Sequence, residues 1–590
     1  MLIPKLIQRK VDPGVKQQLE QAGLDPVLAD IVASRPLPEH RDGPLAVVAP
    51  KLAYLDNPFL MRDMDKAVAR LAQAVCKQEC IGIETDHDCD GQTSHAVLHT
   101  CLQDIFKHPV ARIKSYIGHR MKEGYGLSDA VAERILADPE RPSLLLTADN
   151  GSADEPRIAR LRAAGIDVIV TDHHEVPVEG PPRSAFACLN PTRKDCDFPD
   201  PYIAGCMVAW LLMAATRRRM LESGQLPAGT LPMTEVLDFV AVGTVADCVS
   251  MARSVNNRVV VRYGMQIIRQ AKRACWQAIL PLLNKPKLSA EDLGFVIGPL
   301  LNSDGRLSDA FGSVNFLLAD DLAAARPWVE TLWQQNKQRK QIQQQLTAQA
   351  IRLAEAQVAQ GRASLVIWLE DGHAGVHGIS ASRIKDLFGR PTILFSPKLD
   401  EHNLITGSAR SIDKVNIRSA IQTVAEREPG LVAKFGGHKG AAGLAIDKRN
   451  LAAFMNAFEA AVLLQVDKTE VGPMLLTDGV LPDSHFNLDF VEQIQSLDPY
   501  GREFDLPTFE ATVEVINVRR IGQTQCHAQL RLRIPSGAIV NAVWFNCAEH
   551  ADQPLQVDAG QRVHIAFNLC ENHFREQRSL QLQIGYLQVV

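Results

Sequence analysis

The stretch that decides the fold is residues 81–91, IGIETDHDCDG, in which an apolar run ends in three aspartates spaced two residues apart. Carboxylates this close repel one another unless cations neutralise them, so the segment indicates a metal site directly after a buried strand. The EF-hand calcium loop has a similar spacing, but it needs a bidentate Glu at its twelfth position, where this chain has Val97. A calcium hand is therefore excluded, and an ordinary acidic turn stays open at this point.

Three further segments close on acidic or histidine side chains in a similar way. They are residues 144–151 (LLLTADNG), 168–174 (VIVTDHH) and 240–247 (VAVGTVAD). Short apolar runs separated by helix-length stretches are typical of buried parallel strands in an α/β domain. Ligands bind beyond the carboxyl ends of such strands, so we expect the acids and histidines of all four segments to converge on one rim.

In this order the four segments resemble the signatures of the DHH phosphoesterase superfamily. Further motifs narrow the resemblance to its RecJ family, exonucleases that degrade single-stranded DNA from 5′ to 3′. These motifs are HR (119–120), EGYGLS (123–128), GP followed by Asn302 and GRL (298–307), GVHGISASR (375–383), GSARSI (407–412) and GGHKGAAG (436–443). The resemblance extends from about residue 57 to the C-terminus and implies a role in DNA repair and recombination.

The resemblance implies hydrolysis of phosphodiesters with two ions of Mn²⁺ or Mg²⁺ per active site. Two divalent ions about 3.5–4 Å apart activate a water and offset the charge that grows on the phosphorus oxygens. Carboxylates combined with one imidazole suit Mn²⁺ or Mg²⁺ better than Zn²⁺. The implied ligands are Asp88 for one ion, Asp90 and His173 for the other, Asp149 and Asp247 for both, and Asp86 as an outer ligand.

Two side chains are implied to be catalytic, namely Asp149 as the shared ligand and His174 as the contact to the scissile phosphate. Asp172 is expected to orient a histidine through a hydrogen bond, without binding a metal ion itself. No nucleophilic side chain is required, because the attacking group is a water.

A second implied site binds the strand, including its 5′-phosphate. Arginine suits this task because its planar fork grips phosphate oxygens bidentately. His438 follows two glycines that let backbone N–H groups approach a phosphate, although a histidine beside glycines also serves structural roles. The implied substrate-binding residues are Arg120, Ser408 and Arg410 at the 5′-phosphate, with His438, Asn302 and Arg306.

Composition bounds these interpretations. The chain has 590 residues, 46% of them hydrophobic and 22% charged, which predicts three or four globular domains. No apolar run reaches the roughly 20 residues of a membrane span, and the N-terminus lacks a secretory signal, so we expect a cytoplasmic protein without membrane contact. The 12 cysteines include no CxxC pair, which favours reduced thiols over disulfides or zinc. A net charge of −5 predicts a local basic channel instead of a basic surface.

The chain divides into five predicted segments. They are a partly helical lead-in (1–56), a DHH catalytic α/β domain with a parallel sheet (57–318), a connecting helix (319–361, helical from roughly Pro327), a second α/β, DHH-associated domain (362–465) and a C-terminal all-β region with an OB-like fold (466–590). Apolar and polar residues alternate strictly at 527–534, 562–569 and 579–584, which predicts antiparallel strands with one solvent-exposed face. Arg531 and Arg533 share that face, where they would bind single-stranded DNA, and a merely solvated face is the alternative.

Single-stranded DNA is the expected partner, with a single-strand-binding protein or a helicase as candidate protein partners. Two other functions remain open. One is a DHH phosphodiesterase acting on short oligonucleotides or cyclic dinucleotides, against which the OB-like region argues. The other is a catalytically degenerate replication scaffold, against which the complete set of Asp and His ligands argues.

Overall fold

The computed structural model describes residues 3–40, 42–119, 123–283, 285, 287–307, 311–398, 403–548, 550–574 and 577–590. The chain forms two compact units. The larger unit consists of Lys10–Gln335 and Asp478–Val590, and the smaller unit of Met1–Arg9 and Asn336–Thr477. Each unit is described by itself below. None of the helices in the described ranges is both long and apolar enough to span a bilayer.

The lead-in is partly helical, as predicted. Asp12 and Asp25 accept hydrogen bonds from the first backbone N–H groups of two helices that each begin with proline, which is a favourable way to start a helix. The elements of the lead-in are β1 (Lys5–Gln8), which belongs to the smaller unit, then α1 (Pro13–Gln21), α2 (Pro26–Ala33) and α3 (Leu45–Val48). Helix α4 (Met64–Cys76) follows the lead-in and precedes the first strand of the larger unit.

A five-stranded parallel sheet forms the centre of the larger unit. Its elements are β2 (Ile81–Thr85), α5 (Cys89–Thr100), β3 (Ile113–Ile117), α6 (Asp129–Ala137), β4 (Leu144–Ala148), α7 (Glu155–Ala163), β5 (Asp167–Thr171) and β6 (Ala187–Leu189). The strand order is β3-β2-β4-β5-β6, and every neighbouring pair is parallel. Strands β2 and β4 are buried along their whole length, which explains their unbroken apolar runs. The predicted parallel sheet is confirmed.

The fourth predicted strand, residues 240–247, is a helix. Its residues up to Ala246 belong to α9 (Leu237–Ala246), which follows α8 (Gly205–Glu222) and precedes α10 (Val255–Arg269). Residues 237–244 are all buried, and α9 packs against α5, α8 and α10. A helix buried on every side carries no amphipathic period, so a short apolar run of this kind cannot be told from a strand by its pattern.

Further helices follow α10, and the last of them is long. They are α11 (Ala274–Leu283), α12 (Ala290–Asp292), α13 (Gly298–Leu307), α14 (Phe311–Leu317) and α15 (Leu322–Ala359). The connecting helix begins five residues earlier than Pro327, where the sequence pattern placed its first turn. Asp321 provides the start, because its carboxylate accepts a hydrogen bond from Ala324 N at 2.8 Å.

The smaller unit is a second α/β fold, as predicted. Its elements are β7 (Leu365–Trp368), α16 (Ala374–Phe388), β8 (Thr392–Pro397), β9 (Leu404–Arg410), α17 (Ile417–Arg427), β10 (Lys434–Gly437), β11 (Ala441–Asp447), α18 (Leu451–Leu463) and β12 (Met474–Thr477). The sheet order is β10-β11-β9-β8-β7, and β1 pairs with β12 in parallel. The two glycines before His438 are the last residues of β10, and Gly437 has a φ of +138°.

The C-terminal region forms a closed five-stranded barrel. After α19 (Leu488–Ser496) come β13 (Phe509–Ile521), β14 (His527–Arg533), β15 (Ile539–Trp544), β16 (Arg562–Phe574) and β17 (Gln577–Val589), in the barrel order β13-β14-β15-β17-β16. This confirms the predicted all-β region. Phe509 packs with Phe490 and Phe567, so the apolar interior of the barrel is continuous with the core of the larger unit.

Candidate metal centre

The acidic loop between β2 and α5 is held by its own backbone and by one distant side chain. Asp88 caps α5, and its Oδ1 accepts hydrogen bonds from Asp90 N at 3.0 Å and Gly91 N at 3.1 Å. Asn302 on α13 accepts a hydrogen bond from Cys89 N through Oδ1 at 2.9 Å. Asn302, which the sequence pattern assigned to substrate binding, is thus used in this structure to hold the loop that carries the aspartates.

Asp90 points at the first turn of α8. Its Oδ2 accepts a hydrogen bond from Gly205 N at 2.7 Å, and its Oδ1 accepts one from Cys206 N at 2.9 Å. The partial positive charge of the helix start stabilises this buried carboxylate. Glycine is required at 205, because a Cβ there would lie 2.8 Å from the Cβ of Asp149. The sequence pattern missed this support, since backbone N–H groups leave no side-chain signature.

Asp149 and His173 form the centre of the cluster. Asp149 directly follows β4 with a left-handed φ of +65°, held by a hydrogen bond from its N–H to Thr171 O at 2.9 Å. The Nε2 atom of His173 lies 3.2 Å from Asp149 Oδ1, 3.5 Å from Asp247 Oδ2 and 3.8 Å from Asp90 Oδ2. Asp247 reaches the cluster as the residue after the last turn of α9.

The structure brings all six residues that were predicted as metal ligands, together with His174, into three overlapping groups. In each group one ligand atom per residue lies within 4.8 Å of the others. The groups are Asp86, Asp88 and Asp149; Asp90, His173 and Asp247; and Asp149, His173 and His174. Asp149 and His173 each belong to two of the three groups, so these two residues link the groups into one cluster.

The electrostatics of the cluster fit a divalent cation. Burial and repulsion from neighbouring carboxylates raise the pKa of Asp149, Asp247 and Asp88. Burial lowers the pKa of His173, which leaves a neutral imidazole able to act as a ligand. Asp149 Oδ1 and His173 Nε2 are buried without a hydrogen-bond partner among the described residues. Bound cations would satisfy these atoms and offset the repulsion.

His174 differs from His173 in exposure and charge. Its side chain is 60% exposed, and its Nδ1 lies 2.8 Å from Asp172 Oδ1. Partial burial opposes the charged form, but the hydrogen bond and charge of Asp172 raise the pKa of His174 to about 10. Asp172 also accepts hydrogen bonds from His173 N at 2.8 Å and Ser152 N at 3.0 Å. Asp172 therefore orients a cationic, accessible His174 at the edge of the cluster.

Three predicted phosphate-binding residues lie in the smaller unit. Ser408 and Arg410 stand two residues apart on β9, where exposure alternates, so they share one face. The guanidinium of Arg410 lies against Gly378 of α16, where a Cβ would be 2.5 Å from Arg410 Nη2. His438 is exposed and donates its backbone N–H to Ala441 O at 2.8 Å.

The remaining predicted residues lie in the larger unit. Arg531 and Arg533 are both exposed on β14 and share one face, although Arg533 Nη1 forms an ion pair with Glu514 Oε2 at 2.8 Å. Arg120 lies outside the described residues, and so does the side chain of Arg306 on α13.

Comparison with family models gives three matches along the chain. The DHH family N-terminal domain matches residues 80–244, the DHHA1 domain matches 362–463, and the RecJ OB domain matches 477–586. The first range contains the metal cluster except Asp247, the second contains the strand with Ser408 and Arg410, and the third contains most of the barrel.

Known proteins resemble the chain over most of its length. The single-stranded-DNA-specific exonuclease RecJ of Haemophilus influenzae is 35% identical over 544 residues, covering 90% of this chain and 92% of that protein. The crystal structure of RecJ from Thermus thermophilus in complex with Mn²⁺ has a TM-score of 0.78 at 24% identity, covering 99% of this chain and 79% of that one. A second structure, of exonuclease RecJ bound to manganese, has a TM-score of 0.57 at 29% identity, and the match covers 70% of this chain and 97% of that one.

Proposed function

The chain belongs to the RecJ family of single-stranded-DNA-specific exonucleases, and we propose that it hydrolyses phosphodiesters of single-stranded DNA from a 5′ end with two Mn²⁺ or Mg²⁺ ions. The observation that carries the proposal is His173 Nε2 within 3.2–3.8 Å of oxygens from three aspartates that come from three different parts of the chain. A structural ion pair would need one such acid. Three acids crowded around one neutral imidazole need a cation.

The ligand groups suggest how two ions would be shared. Asp86 and Asp88 would serve one ion, Asp90, His173 and Asp247 the other, and Asp149 both. When bound, the ions would activate a water and neutralise the charge that develops on the phosphate. The orphaned oxygen of Asp149 and the orphaned nitrogen of His173 support this assignment, because neither atom has a hydrogen-bond partner among the described residues.

The chain's own residues then bind and orient the phosphate. His174 is cationic at neutral pH and 60% exposed, so it is able to donate a hydrogen bond to a non-bridging oxygen of the scissile phosphate. Asp172 holds the imidazole by its Nδ1 side, which leaves Nε2 for the substrate. The helix start at Gly205 keeps Asp90 in place while the phosphate is exchanged.

Recognition of the 5′ end would fall to the face of β9 that carries Ser408 and Arg410. The exposed His438, which directly follows β10 of the same sheet, is a further candidate for this contact, and the role implied for Arg120 stays a prediction. The Arg410 guanidinium provides the bidentate fork that suits a terminal phosphate dianion. The barrel would hold the strand through the exposed face of β14.

Digestion of end-labelled strands tests the proposal. Single strands carrying a 5′ or a 3′ label, and the matching duplex, are incubated with the protein in Mn²⁺ or in EDTA. We expect labelled mononucleotide at once from the 5′-labelled strand, a gradually shortening ladder from the 3′-labelled strand, and no product from duplex or in EDTA. Release of mononucleotide from the 3′ label first would overturn the polarity. A dinucleotide is tested in parallel. Its cleavage while the longer strands stay intact would favour a phosphodiesterase that acts on short oligonucleotides.

A further inference from the structure

An exposed arginine lies on a loop that is attached to the segment after Asp247, and it has no role so far. Arg502 is in the loop that precedes the barrel, and its side chain is exposed. Its backbone O accepts a hydrogen bond from Met251 N at 3.0 Å, and Gly501 packs so closely on Met251 that a Cβ at 501 would lie 2.8 Å from Met251 Cγ. Met251 is four residues after Asp247, so this loop is attached to the segment that carries a metal ligand.

The backbone of this loop is fixed by a buried arginine side chain. The buried Arg258 donates hydrogen bonds to Leu497 O at 2.6 Å and Pro499 O at 3.0 Å, and its guanidinium stacks over the ring of Phe504 at 4.2 Å. Arg258 is fully buried, so these contacts are dry. Side chains on this loop are thus presented from a fixed backbone, which is the arrangement that a precise phosphate contact requires.

The neighbouring charges leave Arg502 available. The next residue, Glu503, is used elsewhere, because its Oε2 accepts hydrogen bonds from Ser250 Oγ at 2.6 Å and Arg253 Nε at 3.0 Å. Within the described ranges, no carboxylate oxygen lies within 4.0 Å of the Arg502 guanidinium.

We propose that Arg502 binds a backbone phosphate of the DNA strand next to the scissile one. The inference rests on the proposed function and adds a substrate contact to it. A cluster of crowded acids repels a polyanion on approach, and an exposed guanidinium on a fixed loop attached to the segment after Asp247 attracts a neighbouring phosphate of the strand. Because Arg502 has no competing carboxylate in the described part of the chain, its fork is free to grip phosphate oxygens.

The test compares Arg502→Gln with Arg253→Gln. Arg253 is a matched control, since it is an exposed arginine of the same region that is paired with Glu503. Both variants and the wild type digest a 5′-phosphorylated single strand over a range of substrate, Mn²⁺ and salt concentrations. We expect Arg502→Gln to raise KM about tenfold, which is within the range for a charge-assisted contact. The slope of log(kcat/KM) against log[salt] should decrease by about 0.7, the value for one phosphate contact on a single strand. Arg253→Gln should stay within about twofold of wild type, since its guanidinium is already paired.

Two further measurements separate this contact from other roles of Arg502. Arg502→Lys keeps the charge without the fork, so its KM should lie between those of wild type and Arg502→Gln. The Mn²⁺ concentration for half-maximal activity should not change in Arg502→Gln, and its melting temperature should match that of wild type. A KM indistinguishable from that of wild type, an equal effect of Arg253→Gln, or a KM that recovers when Mn²⁺ is raised would overturn the inference. If wild type itself leaves single strands intact, it is the proposed function that fails.

Discussion

The rim of the parallel sheet and the wall of the barrel carry charge in opposite ways, although both belong to the larger unit. At the rim, Asp90 and Asp149 are 1% and 2% exposed, crowded and partly without hydrogen-bond partners among the described residues. On the barrel wall, Arg531 and Arg533 are exposed and spaced along a strand. Hydrolysis concentrated in one buried cluster should be lost completely by a single substitution, whereas binding spread over an exposed wall should weaken in small steps. The predictions below test that contrast.

The largest effect is expected at Asp149. We predict that Asp149→Asn reduces Mn²⁺-dependent hydrolysis to the background of a protein-free control, because it removes the ligand that we propose both ions share. The metal-free variant should melt at or above the temperature of metal-free wild type, since one of the repelling acids is gone. Glu140→Gln, at an exposed acid on the same unit, is the control that should retain full activity. Normal turnover by Asp149→Asn would contradict the shared-ligand role.

The second effect is on stability and depends on pH. Asp149, Asp247 and Asp88 have raised pKa values in the folded protein, so the folded state binds protons more tightly than the unfolded chain, whose Asp pKa is near 3.8. Their stabilising contribution is therefore fully present below this unfolded-state value and is lost as pH rises through the raised pKa values of the folded state. Each such group contributes at most about 1.4 kcal/mol per pH unit.

Urea unfolding in EDTA between about pH 5 and 8 measures this dependence. Metal-free wild type should lose stability relative to Asp149→Asn as pH rises across this range. Saturating Mn²⁺ should remove most of the difference by stabilising the ionised carboxylates of wild type. Parallel curves for the two proteins in EDTA would show that the acids at the rim are not strained by their proximity.

The third effect concerns the smaller unit. We predict that Arg410→Ala weakens digestion of 5′-phosphorylated strands roughly ten- to a hundredfold more than digestion of strands with a 5′-hydroxyl, since a charge-assisted contact is worth about 1.5–3 kcal/mol. Arg449→Ala is the control, because Arg449 is 84% exposed in the same unit and is paired with Asp447. Equal losses on both substrates would mean that Arg410 does not read the end.

Features that depend on side-chain patterns could be predicted from the sequence, whereas features that depend on backbone groups brought together by the fold could not. The ends of β2, β4 and β5 were visible as apolar runs that close on Asp or His, so most of the rim followed from the carboxyl ends of parallel strands. Asp247 was placed correctly in the cluster but on the wrong element, since α9 is buried on every side and has no helical period. The support of Asp90 by Gly205 N and Cys206 N was invisible, because it comes from backbone groups brought together only by the fold.

The fourth effect is on the barrel wall and should be modest. We predict that Arg531→Ala raises the dissociation constant for long single strands a few-fold and reduces the salt slope by about 0.7, the value for one phosphate contact on a single strand. Arg533→Ala should have a smaller effect, because Glu514 already neutralises that guanidinium. Anisotropy titrations of an inactive Asp149→Asn background measure both. A larger loss from Arg533→Ala than from Arg531→Ala would reverse this ranking.

The smallest effect is a gain, and it tests whether the Glu514 pair limits the barrel wall. Glu514 Oε2 lies 2.8 Å from Arg533 Nη1, and both side chains are close to half exposed, so the pair contributes at most about 1 kcal/mol. We predict that Glu514→Gln improves the affinity for long single strands about twofold at low salt, because Arg533 becomes available to a phosphate. The gain should vanish at high salt, where the charges are screened, and also in the double variant Glu514→Gln/Arg533→Ala. If the double variant binds as tightly as Glu514→Gln, the gain comes from removing a negative charge and not from Arg533.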